Sequence, residues 1–261
     1  QGCGKSSLLS LAVAYARADG WFVLYIPDAI RWCNIGVKVK KNRVWGTWDQ
    51  SDLIQEMLSG LLRTKDFYAI HNYPLKTNIK QWLPRFNGTR LADLILHGAT
   101  INEDAGEAYA CLIEELRRVV EFPILLAIDG YNYLYNRCVA FHDPESKGFH
   151  RERMPPSKLT LTKPFYDAHI DTGLPMGSFI GALSEESPTY NFYKRYPDST
   201  SEFQFVDVPP FQPSEFDAVM THYHLTGWMD RPYVPGSYTD RYVYQITGGF
   251  GAELFKYSKK V

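Results

Sequence analysis

The chain has 261 residues, of which 45% are hydrophobic and 22% charged, with a formal net charge of −1. Such a composition suits a globular chain with one large domain, or a core with a small appendage. It excludes the global basic field of a nucleic-acid coat, and no apolar run approaches the length that spans a bilayer, so no membrane partner is expected. The four cysteines, Cys3, Cys33, Cys111 and Cys138, are widely spaced without a C-x-x-C pair, which argues against structural zinc and for thiols in a reducing compartment.

The opening residues Gln1-Gly2-Cys3-Gly4-Lys5-Ser6-Ser7 run directly into the apolar stretch Leu8 to Ala14. Gly4, Lys5 and Ser6 match the end of the phosphate-loop pattern G-x-x-x-x-G-K-[ST]; the first glycine, and the strand expected before it, precede Gln1. In that motif glycines let successive N–H groups turn toward phosphate oxygens, and the following helix start adds partial positive charge. Gly2, Cys3, Gly4, Lys5, Ser6 and Ser7 are the candidate nucleotide-binding residues, with the Ser6 hydroxyl on Mg²⁺. The alternative is a glycine-rich turn that caps a helix.

Lys5 to Arg17 reads as a helix buried against a sheet, and Trp21 to Ile26 as a buried parallel strand stopped by Pro27. Asp28 follows at the strand's carboxyl end, where it is either a ligand or, the favoured reading, a turn or cap residue. The basic run Val37 to Arg43, beside Trp45 and Trp48, reads as a solvated edge or as a contact to RNA phosphates. Asp49 to Leu62 has a helical stripe of Leu53, Ile54, Met57, Leu58 and Leu61, with Asp49 or Ser51 as its cap. Residues 65–87 are irregular. A short helix over Leu91 to Leu96 and a longer one over Asp104 to Val120 follow, the latter with Tyr109, Leu112, Ile113, Leu116 and Val120 on one face.

Phe122 to Asp129 is an apolar run that ends in a carboxylate, the Walker B pattern, which places Asp129 at the sheet's carboxyl edge as the second Mg²⁺ ligand. The next residue is Gly130, where many related ATPases carry a glutamate that polarises water. Glycine cannot act as a base, so a slow or inert hydrolase is expected. A charged, proline-rich stretch over about 142–175 reads as a docking insertion or as a segment ordered only on binding. Ser178 to Ser184 is another short strand, whose Ser184 either senses the γ-phosphate or caps a turn. Phe203 to Val208 reads as the last strand. Ser214 caps a helix that carries Phe216, Val219, Met220 and Tyr223, and two short helices flank a Gly248-Gly249 turn. Arg241 and Lys256 lack motif support as nucleotide-sensing cations.

The Gly2-to-Ser6 loop, Ile26-Pro27-Asp28-Ala29 with Trp32, Trp48-Asp49-Gln50, Leu126 to Asn132, Gly181 to Ser184 and Pro213 to Trp228 together resemble the death-associated protein three family, the GTP-binding protein of the mitochondrial small ribosomal subunit. Likeness is loose over His142 to Gly173 and Gln245 to Tyr257. The resemblance implies a structural subunit in the mitochondrial matrix that holds GTP or GDP with Mg²⁺. It also implies contacts to small-subunit rRNA, to neighbouring mitoribosomal proteins and to the large subunit across a bridge. No Asn-Lys-x-Asp motif is present, so guanine rests on the resemblance and ATP stays open. The fold expected is α/β: a P-loop NTPase (AAA/STAND-like) three-layer parallel-sheet core over 1–208 with a helical subdomain over 209–261. A switching NTPase, in which Ser184 reports nucleotide state, is the alternative function.

Overall fold

The computed structural model describes residues 4–34, 39–64, 70–135, 141–142, 151–152, 155–168, 172–184, 204–229 and 234–258. The chain divides into two compact units, Leu9–Phe203 and a smaller one formed by Gln204–Val261 with Gln1–Leu8.

In chain order the larger unit begins with helix α1 (Lys5–Ala18, whose first turn belongs to the smaller unit), strand β1 (Phe22–Ile26) and helix α2 (Ala29–Asn34). A short hairpin, β2 (Lys40–Lys41) and β3 (Trp48–Asp49), leads to α3 (Ser51–Leu61), α4 (Leu91–Thr100) and α5 (Ala105–Leu116). Strand β4 (Ile124–Asp129) follows. Then come the two-residue strands β5 (Phe141–His142) and β6 (Arg151–Glu152), helix α6 (Lys163–Asp167) and strand β7 (Gly177–Ala182).

β1, β4 and β7 form a parallel sheet in the order β1-β4-β7, so the Walker B-like strand lies in the middle. Successive side chains on a strand point to opposite faces, and over β1 and β4 both faces are covered, while the edge strand β7 leaves Ser178 and Ile180 exposed. Val23, Leu125, Ala127 and Ala182 pack with Leu9, Val13 and Ala16 of α1. Phe22, Leu24, Ile26, Ile124, Leu126 and Ile128 join the larger core with α3, α4 and α5. An alternating strand would have bared one face. These near-continuous apolar runs do not, which is why β1 and β4 carry them.

The stripe expected on α3 is buried, from Leu53 to Leu61. Its cap differs from expectation: the N-cap is Gln50, while Asp49 lies in β3 and Ser51 is the first helical residue. α4 runs to Thr100, beyond Leu96. α5 stops at Leu116, so Val120, expected on its buried face, is 61% exposed. The stretch 155–168, within the segment read as a docking insertion, contributes Leu159, Leu161 and Phe165 to the core, all fully buried. Residues 143–150, 153–154 and 169–171 of that segment lie outside the described residues.

The smaller unit holds α7 (Pro213–Leu225), α8 (Tyr238–Thr247) and α9 (Gly251–Ser258) around Phe216, Met220, Met229, Val243 and Leu254. Glu215 Oε2 accepts from the Gln212 backbone N–H at 2.8 Å, so the α7 cap is Gln212 rather than Ser214. Gly248 and Gly249 turn the chain with φ of 59° and 71°, as their pairing suggested. The strand expected over Phe203 to Val208 is not a strand: Gln204–Val208 pairs with no described strand, Val206 is 72% exposed, and Pro209-Pro210 removes two ladder donors directly after it.

Candidate functional site

Asp28, Asp129 and Ser184 lie at the carboxyl ends of neighbouring strands of the sheet. Gly2 and Cys3 lie outside the described residues. Gly4 adopts φ 92° and its carbonyl accepts from the Leu8 N–H at 2.9 Å, so it is the turn from which α1 starts. A β-carbon on Gly4 would meet nothing within 4 Å; its glycine is needed for the left-handed backbone, not for room. Lys5, Ser6 and Ser7 form the first turn, which contains no acidic residue. The N–H groups of a first turn have no intrahelical partner and favour an anion.

Asp28 follows β1 but is committed locally. Its Oδ1 accepts from the backbone N–H of Ile30 at 2.9 Å and of Arg31 at 3.3 Å, which makes it the cap of α2 rather than a ligand.

Asp129, half-buried, closes β4 and is in register with Ala182 of β7. Its successor Gly130 has φ 75°, and a β-carbon there would sit 3.1 Å from the Tyr133 ring and 3.6 Å from Ala29 Cβ. The backbone thus turns sharply into the 3-10 segment Tyr131–Tyr135, a path that a glutamate at 130 would strain. This turn accounts for the glycine at position 130.

The turn also buries Asn132 completely, a residue the sequence reading passed over. Asn132 Nδ2 donates to the Ser184 carbonyl at 2.7 Å, and the Ser184 N–H donates to Asn132 Oδ1 at 2.9 Å. Ser184 is thereby held two residues past β7, on the strand beside Asp129. A polar residue that follows a sharp glycine turn and is flanked by tyrosines was the available signal. Tyr131 packs edge-on against Phe179 of β7, with ring centroids 4.9 Å apart, and its hydroxyl lies 2.7 Å from that of Tyr135.

Among the described residues of the basic run, Lys41 and Arg43 are exposed, as the solvated-edge reading requires, while Lys40 and Arg43 also reach inward. Lys40 Nζ donates to the Glu103 carbonyl and, at 3.1 Å, to Glu107, while Arg43 Nε donates to Glu107 at 2.9 Å. Glu107 is fully buried in α5, so the two cations neutralise a core carboxylate. That hydrogen bond also holds the Arg43 guanidinium above its usual value. Asn42 Nδ2 donates to the buried Asp49 at 2.8 Å, and Gln50 Nε2 donates to the Trp32 carbonyl at 2.7 Å. Trp48-Asp49-Gln50 is therefore a structural clasp between the hairpin, α2 and α5.

A family model described as "Mitochondrial ribosomal death-associated protein 3" matches residues 1–200, a span that takes in the helix start, Asp129, Asn132 and Ser184. The chain belongs to that family. Membership implies the mitochondrial matrix as its compartment. Among curated relatives, the bovine (Bos taurus) small ribosomal subunit protein mS29 is 21% identical over 250 residues, covering 88% of this chain and 60% of its own length. The chain thus spans about three-fifths of that relative. Among the described residues no helix is long and apolar enough to cross a membrane.

Proposed function

We propose that the chain is a structural component of the mitochondrial ribosome's small subunit that carries a nucleotide with Mg²⁺ and turns it over slowly or not at all. Its partners on this reading are the small-subunit rRNA, neighbouring mitoribosomal proteins and large-subunit bridge elements. The observation that carries the proposal is the family match, because one continuous span contains the loop, the Walker B-like strand and the Ser184 strand end.

The nucleotide part rests on residue chemistry. Gly2, Cys3, Gly4, Lys5, Ser6 and Ser7 supply backbone and side-chain donors to phosphates, and Ser6 with Asp129 supplies the hydroxyl and carboxylate oxygens that Mg²⁺ prefers. Among the described residues no group of three or more His, Cys, Asp or Glu clusters as a metal site, so the other Mg²⁺ ligands are phosphate oxygens and water, the usual pattern for this ion. The proposed fold class is accordingly a P-loop NTPase of the AAA/STAND type. The nucleotide is GTP or GDP on family grounds, with ATP as the alternative. Gly130 removes the base, so binding stabilises the folded chain by mass action rather than driving a cycle.

In mitochondria that express a tagged copy, the chain should sediment with the small subunit on a density gradient, and its depletion should lower mitochondrial translation. Sedimentation entirely apart from ribosomal particles contradicts the proposal.

A further inference from the structure

We infer that Asn132 is a positioning residue that sets Ser184 to read the terminal phosphate, an inference that rests on the nucleotide proposal above. The β4–β7 ladder runs as far as Asp129 and Ala182. There Gly130 turns the β4 chain away, which would leave the backbone of the next β7 residues unpaired. The Asn132 side chain takes over the ladder: its amide donor and acceptor engage the C=O and N–H of the same residue, Ser184, at 2.7 and 2.9 Å. This two-point clasp fixes the Ser184 backbone and so the origin of its Oγ, two residues beyond Ala182, the register partner of Asp129.

The chemistry is specific to an amide. A carboxylate lacks the donor and would face the Ser184 carbonyl; an apolar side chain of similar size would fill the space but clasp nothing. Burial alone would have been served better by leucine, since an amide in the core costs free energy unless both halves are bonded. The fully buried amide is therefore committed to holding Ser184, the residue to which the nucleotide proposal gives the reading of the terminal phosphate.

The test is to titrate Mg²⁺-loaded nucleoside tri- and diphosphates, guanine and adenine, into wild type, Asn132→Asp, Asn132→Ala and Ser184→Ala, with thermal melting of each. Wild type should prefer the triphosphate, and each variant should lose about tenfold of that preference, the worth of one good hydrogen bond. Diphosphate affinity should change little. Ser184→Ala removes only a half-buried hydroxyl. Its result therefore decides the matter even where an Asn132 variant melts early. Equal weakening of both nucleotides, an unchanged ratio in Ser184→Ala, or no triphosphate preference in wild type overturns the inference and leaves the nucleotide proposal standing. Failure of wild type to bind any of the four nucleotides overturns both.

Discussion

The Asp49 carboxylate lies directly against Gly106: a β-carbon built on that glycine would collide with Asp49 Oδ2. Asp49 is fully buried, and Oδ2 is buried without a hydrogen-bond partner, while Oδ1 is held by Asn42. The carboxylate cannot swing aside without abandoning Asn42, so Gly106 is the space that lets β3 close on α5. Gly106→Ala should cost at least about 3 kcal/mol, the upper end for overpacking in a closed core. Urea unfolding of wild type and variant checks this; a loss under about 1 kcal/mol would mean the clasp relaxes freely.

The same residue makes stability depend on pH. Burial pushes the Asp49 carboxyl up to about 6 from 3.8, against the opposing pull of the nearby Thr160 hydroxyl and of the Asn42 amide that donates to Oδ1. Between those two values the folded chain holds a proton that the unfolded chain has released. Stability from this group is present at low pH, falls as pH rises through the window, and is flat above it, a change of about 3 kcal/mol. Asp49→Asn stays neutral and should lack that slope, although its amide nitrogen against Gly106 adds a constant cost. Denaturant melts from acid to neutral pH should show the wild-type slope and its loss in the variant. Equal slopes would place the titration elsewhere.

Gly130 should resist replacement for backbone reasons. Gly130→Ala puts a side chain at φ 75° and 3.1 Å from the Tyr133 ring, which should cost about 1–2 kcal/mol. Gly130→Glu introduces the residue type that polarises water in many P-loop ATPases, but on a strained turn. Phosphate release should stay at the wild-type level while melting temperature drops. A Gly130→Glu variant that gains turnover without loss of stability would show that the turn tolerates a side chain and that a missing base alone limits hydrolysis.

Two strands of the sheet were legible because they are buried on both faces: Phe22 to Ile26 and Ile124 to Asp129 read as strands from unbroken apolar runs alone. The α3 stripe and the turn at Gly248-Gly249 were legible from spacing and residue type. Gln204–Val208 misled because apolar residues beside proline resemble a strand whether or not a partner strand exists, and pairing is not encoded locally. Glu107 and Glu115 were invisible as core residues. On a helix with an apolar stripe, acids read as the solvated face, yet Lys40 and Arg43 reach Glu107 from 64 or more positions away, and Glu115 accepts from the backbone N–H groups of Lys76 and Thr77. At the candidate site, Asp129 and Ser184 were singled out because motifs carry them, and they lie at the carboxyl ends of neighbouring strands. Asn132 was not, because its role depends on a partner 52 residues distant.

The central claim is that the chain holds a polyphosphate through its opening loop and Asp129. The most direct measurement is mass spectrometry of the nucleotide released on denaturing mitochondrial small subunits that carry wild-type chain, Lys5→Ala or Asp129→Asn. The account predicts close to one nucleotide with Mg²⁺ per wild-type subunit and a marked loss in both variants. A wild-type subunit that releases no nucleotide, or variants that release as much as wild type, would contradict it.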